Sequence, residues 1–514
     1  MGEQMDMFES AYDKPSLPKH IRLIELFAGI GAQAKALEEL GADFESWDVV
    51  EWSPFSIIAY NAIHNKDDKD YSSGMTYDEV VKNLNGISAD YNKPMTEKEI
   101  RHRGEPWARK VFSSMTANFD MKPNVCDVHS DDLGIVDKKD NTYVLTYSFP
   151  CTDLSNAGKM AGMEKGSGTR SGTLWEVERI LNECKEGDCL PQVLVMENVP
   201  NVRGKKNVKP WNEWLDALQK LGYTNYVKTI NAKDYGIPQN RKRCFMVSIL
   251  GEYSFSFPKK ETLRYRLRDY IKNKVDEKYY LSDELVKSFK ECRTKESDGP
   301  VLAGSLDKYH FRQADAVYSP DGISPSIMAH LGGQNGHQIQ ILEEPEECVM
   351  EGSIRHKGYN DMTGRVYSPS GLAPSIRTFS GGNTEVKIAV EGPPETICLN
   401  SKVNGKQPSL NDRIYSDKGV SVAVTTTPFF MGNVLHNRRI RKLTEGECYR
   451  LMGFEERDYE SCVMAGQSSS TRYHQAGDSI VVTILIGIFG ELLGLDYSKT
   501  IREYSAKLAE ECKK

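Results

Sequence analysis

The chain has no overall positive charge, no Cys-x-x-Cys pair and no apolar run long enough to cross a bilayer. Each absence removes a class of function. A formal net charge of −7 excludes a protein that grips nucleic acid through bulk charge. A single positive cleft on an acidic chain would still serve such a partner. Eleven cysteines without one Cys-x-x-Cys argue against a disulfide framework and against a zinc site, so no metal is expected. Any cysteine that matters should act as a thiol, and most should be small buried hydrophobes. Met1–His20 lacks the apolar core of a secretory signal. The apolar run Ile480–Gly490 is too short for a membrane span. A soluble cytoplasmic protein without a membrane partner is expected. Its 514 residues allow two or three domains.

What is present first is alternation of strand and helix. Ile21–Phe27 reads as a buried strand, Ala28–Gly31 as a tight turn, and Ala32–Leu40 as a helix that Gly41 caps. Ser46–Val50, Thr142–Ser148 and Gln192–Met196 read as further strands, and Thr173–Glu183 as a helix. This pattern predicts an α/β domain with a largely parallel sheet. Asn65–Lys122 is polar and reads as a surface insertion. After Pro258 a helical segment is expected over Leu263–Lys290.

A repeat follows: Ala316-Val-Tyr-Ser319, Arg365-Val-Tyr-Ser368 and Arg413-Ile-Tyr-Ser416, with tyrosines 49 and then 48 residues apart. The first two copies continue through Pro-Ser-Ile to Gly-Gly; the third keeps Tyr415 and Gly419 but lacks both the Pro-Ser and the Gly-Gly. Stacked β modules are the expectation. Further on, Thr444–Met452 reads as a helix with Thr444 and Glu447 in a capping box, and Ser479–Leu495 as a buried helix starting at an Asp478-Ser479 cap. Ser498–Lys514 reads as a charged surface helix or tail.

Four clusters carry chemistry. Phe27-Ala-Gly29-Ile-Gly31 follows a strand and opens a helix, which lets backbone approach a ligand closely. Glu51, 20 residues after Gly31, is placed for ribose hydroxyls. Ala34 stands where a dinucleotide site has its third glycine, which tilts the pattern toward S-adenosylmethionine. Pro150-Cys151 leaves a strand end, where a thiol can be an activated nucleophile or a buried apolar side chain. The glycine-rich run Gly158–Gly172 next to it carries Lys159, Lys165 and Arg170, and reads as a cationic lid or a plain solvated loop. Glu197-Asn198-Val199 ends another strand. Gln239-Asn-Arg241-Lys-Arg243 puts two guanidiniums on one face of an extended segment.

In this order the clusters resemble the DNA cytosine-C5 methyltransferases. Arg441–Phe454 and Gly477-Asp-Ser-Ile480 resemble that family's last two motifs, so the likeness covers about residues 20–255 and 410–495. The stretches Phe27–Gln33, Ser148–Cys151 and Gly166–Gly172 look especially like the CpG-type enzymes of mollicutes. The recognition region does not, and their target is not carried over.

The resemblance implies a Rossmann-like S-adenosylmethionine-dependent methyltransferase domain with a mixed sheet, plus a smaller β-rich target-recognition domain. The implied partition is 1–256 catalytic with an insertion at about 65–122, 257–437 recognition, and 438–514 returning to the catalytic domain. It implies Cys151 as the nucleophile on C6 of a flipped-out cytosine. Glu197 would contact N3 and the exocyclic amine, Arg243 the base oxygen, and Arg241 a phosphate or the Cys151 region. Phe27, Gly29, Gly31, Glu51, Trp52, Asp127, Val128, Pro150, Asp478 and Ser479 would line the cofactor site, with S-adenosylhomocysteine the product. Asp478 stands where the family usually has Asn. Ser155, Lys159, Arg170, Gln239, Arg365, Arg377 and Arg413 are the expected contacts to double-stranded DNA. Residues 301–430 hold 11 Lys+Arg against 14 Asp+Glu, so phosphate contacts there must come from selected arginines.

Three readings of the repeats compete: one recognition domain with copy two or three against the target, a scaffold, or one site per copy. A monomer on DNA is expected, in a bacterial or phage-infected cell, with a cognate restriction endonuclease as a candidate partner. Rival readings are an amino methyltransferase, for which the Pro-Pro-aromatic tetrapeptide is lacking, an RNA-modifying relative with a smaller recognition region, and a non-catalytic DNA-binding relative.

Overall fold

The computed structural model describes residues 20–90, 93–118, 122–151, 153–154, 162–251, 253–280, 290–291, 299–305, 316–327, 339–343, 350–353, 365–367, 387–388, 414–415, 433–434 and 439–513. They divide into two compact units. The first takes in the chain up to Tyr279, Lys290–Gln340 and Lys442–Lys514; the second takes in Tyr280–Phe289 and Ile341–Arg441.

The first unit is built on a six-stranded sheet in the order β2-β1-β3-β4-β6-β5. The strands are β1 (His20–Leu26), β2 (Phe44–Val50), β3 (Asn141–Tyr147), β4 (Val193–Asn198), β5 (Tyr223–Asn231) and β6 (Lys242–Leu250). β1 to β4 are mutually parallel, and β6 runs against both β4 and β5. The sheet is therefore mixed, where strand–helix alternation alone predicted a largely parallel one. No helix joins β5 to β6: a 3₁₀ turn, Ala232–Tyr235, reverses the chain.

β1 and β3 are fully apolar or buried along most of their length because helices cover both faces. On one face, α6 (Leu174–Glu186) and α7 (Val208–Lys220) pack Trp175, Ile180, Leu181, Trp214 and Leu218 against Leu145, Tyr147, Leu194 and Met196. α1 (Ala32–Leu40) packs against α11 (Val482–Leu493). Nine residues of α11 are buried, so this apolar helix is core. It starts at Val482, not at the expected Asp478-Ser479 cap. Ser479 instead ends α10 (Ser469–Asp478), because its N–H bonds Gln475 O. α8 (Glu445–Leu451) carries the predicted Thr444–Glu447 capping box. α12 (Tyr497–Glu510) is not merely a surface helix, since Ile501, Tyr504 and Leu508 are buried.

The polar insertion is folded. α2 (Pro54–Tyr60), α3 (Tyr77–Asn83), α4 (Glu97–Arg103) and α5 (Glu105–Ala117) enclose their own apolar cluster of Ile57, Val80, Val81, Leu84, Ile100, Ala108 and Val111. The expected helix after Leu263 does not form in the described part. Leu267 N–H and Arg268 N–H donate outward to Gly322 O and Pro320 O, leaving only short 3₁₀ turns at Leu267–Tyr270 and Glu277–Tyr279.

All three repeat tyrosines end short strands: Ala316–Tyr318, Arg365–Tyr367 and Ile414–Tyr415. The first copy belongs to the first unit, where β7 (Lys290–Glu291), β8 (Leu302–Ser305) and β9 (Ala316–Tyr318) pair antiparallel. In the second unit, Met350–Ser353, Arg365–Tyr367 and Lys387–Ile388 form one sheet, and Ile414–Tyr415 pairs with Asn433–Val434.

Candidate active site

Chain order reverses between β1 and β3, since β2 lies beyond one and β4 beyond the other. In open α/β sheets such a switch point leaves a crevice at the carboxyl ends of the strands. Here that edge gathers the Phe27–Gly31 turn after β1, Glu51 after β2, Pro150-Cys151 after β3 and Glu197-Asn198 at the end of β4. β6 enters from the same edge, with Cys244 opposite Asn198, and so brings Arg241 and Arg243 to it.

The β1 turn is held open by unusual backbone. Phe27 has φ 60°, a left-handed conformation that a non-glycine residue adopts at a cost, and Gly29 and Gly31 follow at 58° and 76°. A Cβ placed on Gly29 would meet nothing within 4 Å, so the space above it is empty. Glu51 closes the turn from β2: its Oε2 accepts the Gly29 N–H at 2.8 Å and its Oε1 the Ser53 N–H at 2.7 Å. Burial pushes this carboxyl up to about 7, against the backbone bonds from Ser53, Gly29 and Trp52 that lower it. An open glycine shelf beside a buried carboxyl fits a ribose hydroxyl pair. Trp52 is half-buried beside it, and Val128 and Ser479 are buried. Asp127 is exposed at the end of a 3₁₀ turn, its Oδ2 accepting from Asn124 Nδ2 at 3.0 Å.

Cys151 lies largely enclosed at the other side of the crevice. Burial raises its thiol above the usual range; Glu197 and Asp478 add to this, while Arg243 and Arg241 oppose it. Those five side chains thus form one electrostatic group. Glu197 is buried and paired with Arg243, Nε to Oε1 at 3.1 Å. Burial raises the Glu197 carboxyl, and both arginines hold it down. Asn198 Nδ2 donates to Phe149 O at 2.9 Å and fixes the strand end that carries Cys151.

Two expected contacts prove structural. Arg241 is buried and donates to Ile327 O at 2.6 Å and to Gly477 O and Ser479 O at 2.9 Å each. It reaches no phosphate from there. It ties the first repeat copy and the α10 end to the site, and its charge acts on Cys151. Gln239 is fully buried, with Nε2 donating to Leu451 O at 2.7 Å, so the expected DNA contact is corrected to an internal brace. Its neighbours explain this: Asn240 and Pro238 exchange backbone bonds with Ser324. The repeat copy abutting this segment is the first.

Arg170 opens a 3₁₀ turn whose backbone N–H groups at 170 and 171 are accepted by the buried Asp153. Ser171 Oγ donates to Pro150 O at 2.7 Å, so the far end of the glycine-rich run is tied back to the Cys151 loop. Ser155, Lys159, Arg377 and Arg413 lie outside the described residues, and of Arg365 only the backbone is described. Among the described residues no cluster of His, Cys, Asp or Glu could hold a metal.

Sequence reading missed the layer under the glycine turn. Glu25 is fully buried in β1 and accepts from Tyr60 Oη at 2.6 Å. His64, on a π-helical turn after α2, places Nε2 2.9 Å from Ile30 O. A charged residue within an apolar strand was the available signal for Glu25; nothing local marks His64.

The family profile for C-5 cytosine-specific DNA methylases matches residues 75–494. The orphan methyltransferase M.SssI of Spiroplasma monobiae is 35% identical over 353 residues, 68% of this chain and 89% of that one. The chain belongs to the C-5 cytosine-specific DNA methylases. The methylase is also 25% identical over 512 residues to the orphan methyltransferase M.SPBetaI of Bacillus phage SPbeta, covering 92% of this chain and 97% of that one. In fold it is similar to the Entamoeba histolytica methyltransferase EhMeth, with a TM-score of 0.51 at 13% identity over 93% of this chain and 98% of that one. It is thus an S-adenosylmethionine-dependent enzyme of DNA cytosine with a Rossmann-like, mixed-sheet fold, as the motifs implied.

Proposed function

We propose that this methylase modifies C5 of a cytosine turned out of one specific double-stranded DNA sequence, through a covalent bond from Cys151 to C6. The observation that carries this reading is the convergence of Cys151, Glu197 and Arg243 at the strand edge that faces the Gly29–Glu51 shelf.

Cytosine C5 is a weak nucleophile. Attack of Cys151 Sγ on C6 breaks the C5=C6 double bond and moves its electrons to C5, N3 and the carbonyl oxygen. Glu197, whose carboxyl burial raises and the two arginines hold down, is the group that donates a proton to N3 as charge develops there. Arg243, fixed by Glu197, is the donor for the base oxygen. S-adenosylmethionine, when bound, supplies an electrophilic methyl group and leaves as S-adenosylhomocysteine. Phe27, Gly29 and Gly31 would form its shelf, Glu51 would accept from the ribose hydroxyls, Trp52, Asp127 and Val128 would hold the adenine, and Pro150, Asp478 and Ser479 would line the remaining sides. Loss of the C5 proton and expulsion of Cys151 Sγ then restore the ring. A stacked base cannot reach Cys151 at the bottom of the crevice, hence the flipping.

Residues 257–437 are read as the target-recognition region, with Arg365, Arg377 and Arg413 on DNA phosphates together with Ser155, Lys159 and Arg170. We read the enzyme as a monomer acting in the cytoplasm of a bacterium or phage-infected cell, with or without a restriction endonuclease beside it. Bisulfite sequencing of plasmid from cells expressing wild type and Cys151→Ser is the test. Methylation of cytosine in one short sequence, absent in the variant, supports the reading. Retained methylation in Cys151→Ser removes the nucleophile assignment, and no methylation by folded wild type removes DNA as substrate.

A further inference from the structure

The 125–130 loop that carries Asp127 has little regular structure of its own: two short 3₁₀ turns, Val125–Asp127 and Ser130–Leu133, joined by Val128 and His129. It is gripped from outside by one side chain of α6. Arg179 Nη2 donates to Val128 O at 2.8 Å, with Cys126 O at 3.3 Å and Val125 O at 3.4 Å sharing the same nitrogen. The rest of the guanidinium is held by its own helix. Nε donates to Glu176 Oε2 at 2.8 Å and Nη1 to Glu183 Oε1 at 2.7 Å. Glu183 extends the grip, its Oε2 accepting the Ser130 N–H at 3.1 Å and lying 3.2 Å from His129 Nδ1.

Residues 176, 179 and 183 are three and four apart, so they share one face of α6. At its other end α6 follows directly from the 3₁₀ turn that Asp153 and Ser171 tie to Pro150 and the Cys151 loop. One helix therefore fixes both ends of the crevice, the nucleophile loop at its start and the Asp127 loop at its middle.

An ion pair along a helix surface would explain Glu176 and Glu183 without any role for the loop. It would not explain why the remaining edge of the guanidinium faces three carbonyls of a single turn. A planar fork presents its donors at fixed, separated positions and so reaches two carboxylates and a carbonyl cluster on different sides at once, a spread that the single nitrogen of an ammonium does not span.

We propose that Arg179 is a positioning residue for the adenine end of the cofactor site, holding the 125–128 turn so that Asp127 and Val128 meet the purine. This deepens the proposed function and rests on its reading of that pocket. Arg179 touches no substrate or cofactor. Its loss should loosen the turn, weaken adenine binding and spare the chemistry at Cys151.

Isothermal titration of S-adenosylhomocysteine into the full-length wild type, Arg179→Ala, Arg179→Lys, Glu183→Gln and Asp127→Ala proteins tests this, beside hydrogen exchange of residues 125–130 without cofactor. Arg179→Ala should bind at least tenfold more weakly and exchange faster in that loop. Arg179→Lys should fail to rescue it, and Glu183→Gln, which leaves the fork in place, should show a smaller loss. At saturating S-adenosylmethionine kcat should stay within about twofold of wild type while KM rises. Arg179→Ala added to Asp127→Ala should weaken binding much less than alone, because both act on one contact. Binding by Arg179→Ala within twofold of a wild type that does bind, or full rescue by lysine, overturns the proposal and leaves the pocket reading intact. A wild type that binds no S-adenosylhomocysteine overturns both.

Discussion

Arg243 Nε stands 3.1 Å from Glu197 Oε1, across the antiparallel pair of β4 and β6. The pair sets the protonation of a buried carboxyl from two sides: burial raises Glu197, and the guanidinium lowers it. If protonated Glu197 donates to N3, activity must fall on the alkaline side as that proton is lost. Removing Arg243 takes away a lowering influence. Arg243→Ala should therefore shift the alkaline limb of the single-turnover pH profile to higher pH, while the rate falls about 10²-fold from the lost donor to the base oxygen. Glu197→Gln should lose the limb altogether and about 10²–10³ in rate, with DNA affinity little changed. A limb that stays in place in Glu197→Gln would assign it to another group.

The strand ends were legible in the sequence because each is local: an apolar run, then Gly29 and Gly31, Glu51, Cys151 or Glu197. Chain order with spacing was enough to put them on one edge. Gln239 was misread as DNA-facing, and the buried anchorage of Arg241 was not foreseen, because their partners, Leu451, Ile327 and Gly477, lie about 90 to 240 residues away. Nothing in a Gln-x-Arg-x-Arg run distinguishes a guanidinium on a phosphate from one on three buried carbonyls. The insertion failed for a related reason. Its apolar positions, among them Val80, Ile100 and Val111, are spread thinly over three helices and form a cluster only with Ile57 and Ile58 of α2. Arg179 looked like any helix-surface charge until the loop lay against it.

Gly29 and Gly31 adopt similar backbone, yet their substitutions should differ. Both have positive φ, so an alanine at either is strained by about 1–2 kcal/mol. At Gly29 the added methyl enters empty space. At Gly31 it would sit 2.2 Å from His64 Nε2 and 2.8 Å from Tyr60 Cε2. His64 is anchored to Ile30 O, so it cannot retreat without losing that bond. Gly31→Ala should thus cost roughly a further 1–3 kcal/mol in urea unfolding. Gly29→Ala should cost no more than the roughly 1–2 kcal/mol of backbone strain and should lose S-adenosylhomocysteine affinity as well, because its methyl occupies the shelf. Equal destabilisation by the two would show that backbone strain alone governs the turn.

Glu25 gives the fold a pH dependence of definite sign. Burial lifts its carboxyl to about 7, against the Tyr60 hydroxyl bond that lowers it. A folded-state value above the unfolded one means the folded protein holds the proton longer. Stability from this group is complete below the ordinary carboxylate range and is lost as pH rises to about 7. Glu25→Gln keeps the acceptor for Tyr60 without the charge. It should be more stable than wild type at pH 8, by on the order of 2–3 kcal/mol, and no more stable at pH 4.5. Glu51 titrates in the same window, and the difference between variant and wild type cancels it. Equal gains at both pH values would mean the carboxyl is not ionising in the fold.

Asp478 brings a third carboxylate to a site that already holds Glu51 and Glu197, and it pushes up both of them as well as Cys151. Its counter-charge is one turn back on α10, where His474 Nδ1 lies 2.9 Å from Asp478 Oδ2. Burial lowers the imidazole, but the Asp478 bond and charge outweigh it, with a smaller contribution from Glu51, and the value ends above 6.5. The stabilising pair is therefore complete below pH 6.5 and is lost as pH rises through the raised value. Above that, Asp478 acts on the thiol without compensation. His474→Gln should slow iodoacetamide alkylation of Cys151 at pH 7, followed on its own peptide because Cys126 is exposed. Asp478→Asn should speed it by lowering the thiol. The double variant should match Asp478→Asn, since an imidazole with no carboxylate to neutralise has nothing left to do. Additive effects in the double variant would separate the two residues and leave His474 acting on Cys151 by some other route.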